Sequence, residues 1–300
     1  MIVGCRRSAF GALIAICCSA AFAAQPVVVL QSDFGLLDGA VASMKGVAVG
    51  VSPDIHIFDL THQIEPYNIW QGALRLAQTA EYWPAGTVFV SVVDPGVGTE
   101  RKSIVLRTKS GHYFVTPDNG TLTFVAPRLG IDAVREIDEA VNRRKNSEKS
   151  FTFHGRDVYA YTAARLAAGV ITFEQVGRAL QPEVVSIPHE AARYEAGVVY
   201  GNIQTDDGNY GNIWTNIDRP TFDRLGAARG DTVRIKILRL DQEVLDLDVP
   251  FVATFGAVEI GKPLLYLNSL DSVSLAINQK NFAQEYGIGS GPEWSIQIRR

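Results

Sequence analysis

Cysteine is nearly absent from this sequence. Of the 300 residues, only Cys5, Cys17 and Cys18 are cysteines, and all three precede Gln25. Once a leading segment containing them is removed, the chain has no thiol for a disulfide framework, a thiolate metal site or a cysteine nucleophile. A chain of this length does not need disulfides to hold its core.

Several functional motifs are also missing. The sequence has no HExxH zinc motif, no phosphate-binding P-loop and no GxSxG nucleophile elbow, and its five histidines are scattered. The net charge is −4 and the pI is about 5.8, which does not favour a nucleic-acid surface. We therefore expect neither a metal site nor a nucleic-acid partner.

The N-terminal segment has the pattern of a secretory signal peptide. Arg6 and Arg7 precede an uncharged apolar run that ends in the small-residue site Ala21–Ala23. The run is too short to favour a membrane-spanning helix. A lipoprotein is less favoured, because no pair of small residues directly precedes either cysteine of the run. We expect residues 1–23 to be a cleaved signal peptide, and the mature protein to be periplasmic or secreted with no membrane anchor.

Residues 24–188 predict an α/β domain. Strand-like runs alternate with helix-like runs, which indicates a mostly parallel sheet covered on both faces. Two further runs predict a hairpin around Ser110 and Gly111. The predicted strands are "PVVVLQSD", "DIHIFDLT" and "TVFVSVVD", the predicted helices are "DGAVASMKGVAVGVS", "NIWQGALRLAQTAEY" and "HGRDVYAYTAARLAAG", and the hairpin runs are "SIVLRT" and "HYFVTP".

Residues 189–300 predict a smaller β-rich, barrel-like domain. Short strand-like runs such as "GNIWTNI" and "WSIQIRR" are separated by Gly, Asp and Asn turns. One run, "SVSLAINQKNFAQEYG", predicts a helix. The whole chain is thus expected to be α/β, with the boundary near residue 188.

Acidic side chains follow three of the predicted strands. Asp33, with Asp38 close behind, follows the first strand, Asp59 lies in the second, and Asp94 ends the third. Because ligands bind at the carboxyl ends of strands in parallel sheets, Asp33 and Asp94 predict a shared site. The alternative is that such residues cap the next helix, and for Asp38 the two readings are balanced.

The stretch "VVDPGVGTERKSI" places Arg101 seven residues after Asp94, across a glycine turn. A buried carboxylate needs a partner, and Arg101 is a candidate. On spacing alone, an exposed ion pair of little energetic value is the better interpretation. His154, in "FHGRD", starts a predicted helix, and a lone histidine is more often structural than catalytic. "TDDGNYGNIWTN" and "YLNSLDSV" are each as consistent with scaffold as with a site.

Six motifs in order resemble one family. They are "SDFG…D…MKG", "VVDPGVG…R", "PDNGTLT", "TFHGRD", "GNYGNIWTNI" and "YLNS". Together they resemble the adenosine-forming S-adenosyl-L-methionine (SAM) hydrolases, also called SAM hydroxide adenosyltransferases, which are related to the SAM-dependent fluorinase and chlorinase. The resemblance covers nearly all of the predicted mature chain. It implies an N-terminal α/β domain, a C-terminal β-rich domain and a homotrimer with SAM held between the two domain types of neighbouring subunits.

The resemblance also implies roles for individual residues. The catalytic set of the hydrolase branch corresponds to Asp94, Arg101 and His154. Where halogenases have a Tyr-Ser pair, this chain has His154 and Gly155, and it therefore lacks the serine hydroxyl that helps to bind halide. The implied substrate-binding residues are Asp33 and Tyr67 at the ribose, Asp38, Asp207 and Ser269 at the methionine end, and Tyr210 and Asn212 at the adenine.

The expected activity is hydrolysis of SAM to adenosine and L-methionine, by attack of an activated water or hydroxide on C5′ of the ribose. SAM is then the substrate, and no cofactor is expected. Two alternatives remain open from the sequence. One is an exported protein that binds SAM or adenosine without turnover, and the other is a SAM-dependent halogenase.

Overall fold

A computed structural model describes Met1 and residues 25–300. Except for Met1, the predicted signal peptide and the three cysteines therefore lie outside the described residues. Within that part of the chain, no helix has both the length and the apolar character that are needed to cross a membrane.

The N-terminal half forms a mixed seven-stranded sheet. Its strand order is β2-β1-β3-β5-β4-β6-β7, with parallel pairing from β2 to β5 and antiparallel pairing from β5 to β7. The strands are β1 (Val27–Ser32), β2 (His56–Thr61), β3 (Val88–Val92), β4 (Ser103–Thr108), β5 (Tyr113–Pro117), β6 (Ile131–Glu136) and β7 (Ala179–Leu180).

Helices cover both faces of this sheet. Side chains alternate across β1, so Val28 and Leu30 pack on one face, with Met44 and Tyr159, while Val29 packs on the other. Burial on both faces explains the continuous apolar runs of the central strands. The helical segments are α1 (Ala40–Val51), α2 (Ile69–Ala80), α3 (Val125–Leu129), a π-helical turn (Gly155–Ala160), α4 (Tyr161–Ala167) and a 3-10 turn (Phe173–Val176).

The C-terminal half forms an antiparallel sheet that nearly closes into a barrel. Its strand order is β12-β11-β15-β9-β10-β14-β13, with β8 added at β9. A bridge between Phe251 and Leu265 connects the two ends. The elements are β8 (Arg193–Glu195), β9 (Val198–Asp206), β10 (Ile213–Asp218), α5 (Arg219–Asp223), β11 (Thr232–Arg239), β12 (Gln242–Pro250), a 3-10 turn (Phe255–Ala257), β13 (Pro263–Leu267), β14 (Ser272–Ile277), α6 (Phe282–Tyr286) and β15 (Trp294–Arg299).

The predicted fold class, an α/β domain followed by a barrel-like β-rich part, is confirmed. The sheets use residues 27–180 and 193–299, and the division at residue 188 stays a prediction. The single helix predicted over "SVSLAINQKNFAQEYG" is wrong. Val273, Leu275 and Ile277 alternate with smaller residues and form strand β14, which pairs with β10 and β13. Only α6 is helical, and it begins after the capping side chain of Asn281.

Candidate active site

Asp33 and Asp94 meet at one edge of the N-terminal sheet. They follow β1 and β3, which are parallel neighbours, so both strands deliver their last residues to the same edge. Both aspartates line a cavity of about 240 Å³, here called the N-terminal cavity. The other lining residues are Phe34, Pro66, Tyr67, Val92, Val97, Thr152, Phe153, His154 and Gly155.

Arg101 forms a fork with the carboxylate of Asp94. Its Nε donates to both carboxylate oxygens at 3.0 and 3.1 Å, and its Nη2 donates to Oδ2 at 2.6 Å. The side chains are only 12% and 5% exposed, so the ion pair is buried and is not the surface pair that spacing alone favours. The turn packs closely here, because a Cβ on Gly96 would lie 3.3 Å from Thr99 Oγ1 and 3.4 Å from Arg101 Cγ.

A buried phenol and a hydroxyl complete the surroundings of this pair. Arg101 Nη1 donates to Ser103 Oγ at 3.0 Å, and that hydroxyl lies 3.1 Å from the Tyr159 hydroxyl, which is itself 3.5 Å from Asp94 Oδ2. Burial is the largest single effect and lowers the pKa of Arg101, but the hydrogen bond to Asp94 and the charge interactions around the guanidinium together outweigh it, so the pKa lies above its ordinary value. Arg101 therefore stays protonated. It is not among the residues that line the cavity and reaches it through Asp94.

His154 is buried on the wall of the same cavity, directly before the π-helical turn. Its Nε2 lies 3.5 Å from Glu139 Oε1, and its Nδ1 is buried with no hydrogen-bond partner among the described residues. The contact with His154 is the largest cause that holds the pKa of the Glu139 carboxyl below its ordinary value, against the opposing effect of burial.

Two further candidates lie near the ends of β1 and β2. The backbone N–H of Tyr67 donates to Asp33 Oδ2 at 2.9 Å, and Tyr67 has a positive φ of 69° with an exposed ring. Such a φ is uncommon outside glycine, so the hydrogen bond to Asp33 helps to hold this strained residue at the cavity. Asp38 does not line this cavity, and its Oδ1 accepts a hydrogen bond from the N–H of Ala40, the first residue of α1.

The remaining candidates line a second, larger cavity in the C-terminal half. It has a volume of about 750 Å³ and is here called the C-terminal cavity. Asp207 Oδ1 accepts hydrogen bonds from the N–H groups of Tyr210 and Asn212, and its Oδ2 accepts one from Asn212 Nδ2 at 2.5 Å. Ser269 lies on the same wall, and the ring of Tyr210 is largely exposed.

The structure thus brings the candidates together in two groups. The N-terminal cavity is lined by Asp33, Tyr67, Asp94 and His154. The C-terminal cavity is lined by Asp207, Tyr210, Asn212 and Ser269. The two cavities share no lining residue. A ligand that contacts both groups therefore needs an arrangement that brings the two walls together.

Sequence reasoning missed the aromatic residues of these walls. Trp214, Phe255 and Tyr266 line the C-terminal cavity, and burial raises the pKa of Tyr266 to about 12. Phe34 and Phe153 line the N-terminal cavity, with ring centroids 5.7 Å apart. Trp214 and Tyr266 lie on strands, where aromatic residues are ordinarily core, and Phe255 lies in a 3-10 turn. Trp214 and Tyr266 belong to the motifs "GNYGNIWTNI" and "YLNS", and Phe34 and Phe153 adjoin Asp33 and His154 in the sequence, so four of the five had a usable signal.

The last residue of the "HGRD" motif, Asp157, belongs to the scaffold of the site. It is fully buried and accepts hydrogen bonds from Arg144 at 2.9 Å and from Arg156 at 2.8 Å. Burial raises the pKa of Asp157, but the hydrogen bonds from the two arginines outweigh it and hold the pKa below its ordinary value. The carboxylate thereby fixes the turn that carries His154. Over residues 25–300, no three His, Asp or Glu side chains are grouped as a metal site.

Two family models match the chain. The model described as the SAM hydroxide adenosyltransferase N-terminal domain matches residues 28–177, and the one described as its C-terminal domain matches residues 201–295. Together the matched segments cover most of the chain.

Individual relatives that are named for different activities resemble the chain. An (R)-S-adenosyl-L-methionine hydrolase of Methanocaldococcus jannaschii is 40% identical over 70% of this chain and 73% of its own length. A fluorinase of Actinopolyspora mzabensis is 30% identical over 92% of this chain and 98% of its own length. A crystal structure of an uncharacterized conserved protein from Thermotoga maritima is 34% identical, with a TM-score of 0.82 over 91% of this chain and 100% of that one.

Proposed function

This chain belongs to the SAM hydroxide adenosyltransferase family, and from that premise we propose that it hydrolyses SAM to adenosine and L-methionine. The observation that carries the proposal is the buried Asp94–Arg101 pair, whose carboxylate lines the same cavity as His154. A hydrolase relative at 40% identity supports water as the nucleophile.

The proposed reaction is a displacement at C5′ of the ribose. The water oxygen forms a bond to C5′ while the bond from C5′ to sulfur breaks, and the electron pair of that bond stays on sulfur. Methionine leaves as a neutral thioether, so its departure needs no proton. The water loses one proton, which makes activation of the nucleophile the demanding part of the reaction.

The residues of the N-terminal cavity fit this demand. Asp94 and His154 orient the water and accept its proton, since both line the cavity. Arg101 fixes the Asp94 carboxylate through its fork and keeps a positive charge beside the developing negative charge. Holding water and substrate in line contributes on the order of 7–11 kcal/mol by proximity.

The substrate-binding candidates fit a nucleoside held between two walls. We assign Asp33 to the ribose hydroxyls and Tyr67 to a position beside the sugar, because both residues line the N-terminal cavity. Tyr210 and Asn212 in the C-terminal cavity would take the adenine, while Asp207 and Ser269 would bind the methionine end, together with Asp38. Because the two cavities share no lining residue, we propose that two copies of the chain complete each site, within a homotrimer.

Gly155 favours the hydrolase over a halogenase. A Cβ at this position would lie 3.2 Å from Val92 Cγ1 and 3.3 Å from the Phe34 ring, closer than most Cβ contacts. The cavity therefore has little room for the serine that the halogenase pattern places here. Because one relative at 30% identity is a fluorinase, the experiment must also look for a product that depends on halide.

The proposed activity is tested by incubating the purified protein with SAM in ¹⁸O-labelled water, with and without chloride or fluoride. We expect adenosine with ¹⁸O at the 5′ position, an equal amount of methionine, and no dependence on halide, measured by chromatography and mass spectrometry. A 5′-halo product that depends on added halide would show that the protein is a halogenase and not a hydrolase. Tight binding of SAM without any product would show that the protein binds SAM without turnover.

The shared site is tested by mixing two inactive variants. Asp94→Asn damages the N-terminal cavity and Asn212→Ala the C-terminal cavity, so a mixed assembly contains some sites with neither substitution. We expect co-refolded or co-expressed variants to recover a fraction of the wild-type rate. Recovery would not occur if each chain formed its whole site alone.

The proposal of export rests on residues 1–23 alone. The N-terminal sequence of the protein recovered from the periplasm or medium tests it. An N-terminus at Ala24 is expected, and recovery of the full-length chain only from the cytoplasm would overturn the proposal.

A further inference from the structure

Glu139 contacts the imidazole of the active-site histidine. It lies in the loop between β6 and the π-helical turn, and its Oε1 is 3.5 Å from His154 Nε2. That distance is long for a strong hydrogen bond but within the range of a direct charge contact. Among the described residues, Glu139 supplies the carboxylate that contacts the His154 ring.

The carboxylate is itself held in place. Arg143 Nη1 donates to Glu139 Oε2 at 2.5 Å, and Arg143 also donates to the carbonyl of Ser150 at 2.7 Å and to Ser147 Oγ at 3.2 Å. The Arg143 side chain is only 6% exposed. Glu139 therefore faces His154 from a fixed loop and not from a mobile surface side chain.

This arrangement selects one form of the imidazole. A carboxylate beside Nε2 favours the tautomer with hydrogen on Nε2 and leaves the acceptor lone pair on Nδ1, which is buried and has no hydrogen-bond partner among the described residues. We propose that Glu139 is a positioning residue that fixes the orientation and the tautomer of the His154 ring on the wall of the N-terminal cavity. This inference rests on the proposed hydrolysis.

Other charged groups lie near the ring without contacting it in this way. The Tyr159 ring centroid is 6.4 Å from that of His154, and Asp94 and Asp33 share its cavity. The pKa of Glu139 is held low chiefly by His154, and also by Arg143, so its negative charge persists to lower pH than that of an ordinary glutamate.

The test compares Glu139→Gln and Glu139→Asp with the control Glu174→Gln, which removes an exposed carboxylate paired only distantly with Arg107. For Glu139→Gln we expect kcat to fall about 10- to 100-fold with little change in KM, within the 10²–10⁴-fold that a general base ordinarily supplies. Glu139→Asp should recover part of the rate, and Glu174→Gln should match the wild type.

A readout independent of turnover separates this inference from the proposed function. The ¹⁵N chemical shifts of the His154 ring report its tautomer, and the signals are assigned by their loss in His154→Gln. We expect hydrogen on Nε2 in the wild type and a weaker preference for that tautomer in Glu139→Gln. An unchanged tautomer in Glu139→Gln, even with lowered thermal stability, would overturn the positioning role. Absence of adenosine with the wild type would refute the hydrolysis and the catalytic role together, while the tautomer would still decide whether the two side chains are coupled.

Discussion

Replacement of Arg101 by alanine tests the central pair of the site most directly. In the wild type, Nε and Nη2 of Arg101 contact both oxygens of Asp94, and the two side chains are 12% and 5% exposed. The substitution leaves the carboxylate buried and without its charge partner. Arg101→Lys keeps the charge but replaces the planar fork by a single ammonium, so it separates charge from geometry.

The burial of the ion pair sets how much stability and activity Arg101→Ala is expected to lose. Removing one partner of a buried ion pair costs about 3–5 kcal/mol in the free energy of unfolding. With an unfolding entropy of ~2.1 cal/mol/K per residue and roughly 275 residues, this corresponds to a fall in Tm of about 5–9 °C. Misplacement of a reacting group by about 1 Å can cost ~10²-fold in rate, and we expect kcat of Arg101→Ala to fall at least that far.

The assay combines calorimetry with steady-state release of adenosine. The matched control is Arg219→Ala, because Arg219 forms the same fork with Asp271 at an exposed position. We expect this control to have nearly wild-type Tm and turnover. Wild-type turnover in Arg101→Ala would refute the role of Arg101 in the reaction, and an unchanged Tm would refute the energetic importance of the buried pair.

Three further outcomes follow from the same geometry. Gly155→Ser crowds the side chains of Val92 and Phe34, so turnover with water should fall about tenfold, and mass spectrometry should detect no halogenated product when halide is added. Tyr159→Phe removes a buried hydroxyl and should lower the free energy of unfolding by about 0.5–1.5 kcal/mol, measured by urea denaturation, with a lower kcat and an unchanged KM. Two arginines hold the pKa of Asp157 in the folded protein below its value of about 3.9 in the unfolded chain. The ionised carboxylate therefore stabilises the fold above that unfolded pKa, and this stabilisation is lost as the pH falls through the lower folded pKa. In Asp157→Asn, the free energy of unfolding should depend less steeply on pH in the acid range.

Sequence patterns predicted the elements whose burial is regular. The central strands β1 and β3 are buried on both faces, so their sequences are mostly apolar, and helix α2 has a clear capping side chain at Asn68. The pattern failed at β14, where a short strand is followed by a turn and a short helix. An apolar run of that length contains both periodicities, and pairing with β10 and β13 decides between them.

The site was predictable where chain topology fixes it. Asp33 and Asp94 could be placed together because parallel neighbours end at the same edge of a sheet. The burial of Arg101 could not be foreseen, since spacing does not reveal whether a turn folds its arginine inward. Glu139 escaped notice because its position depends on a loop without periodicity. The roles of Asp94, Arg101 and His154 came from family resemblance and stay predictions.

The π-helical turn at Gly155–Ala160 has a consequence for how the chain tolerates deletions. A π-turn contains one residue more than the α-helical turn it replaces. Loss of one residue there would restore regular helical winding, so α4 could still pack on the sheet. The segments on either side would keep their register, because the wide turn already accommodates the extra residue locally. A protein shortened by one residue here is therefore expected to keep its core, with the disturbance confined to the turn that directly follows His154.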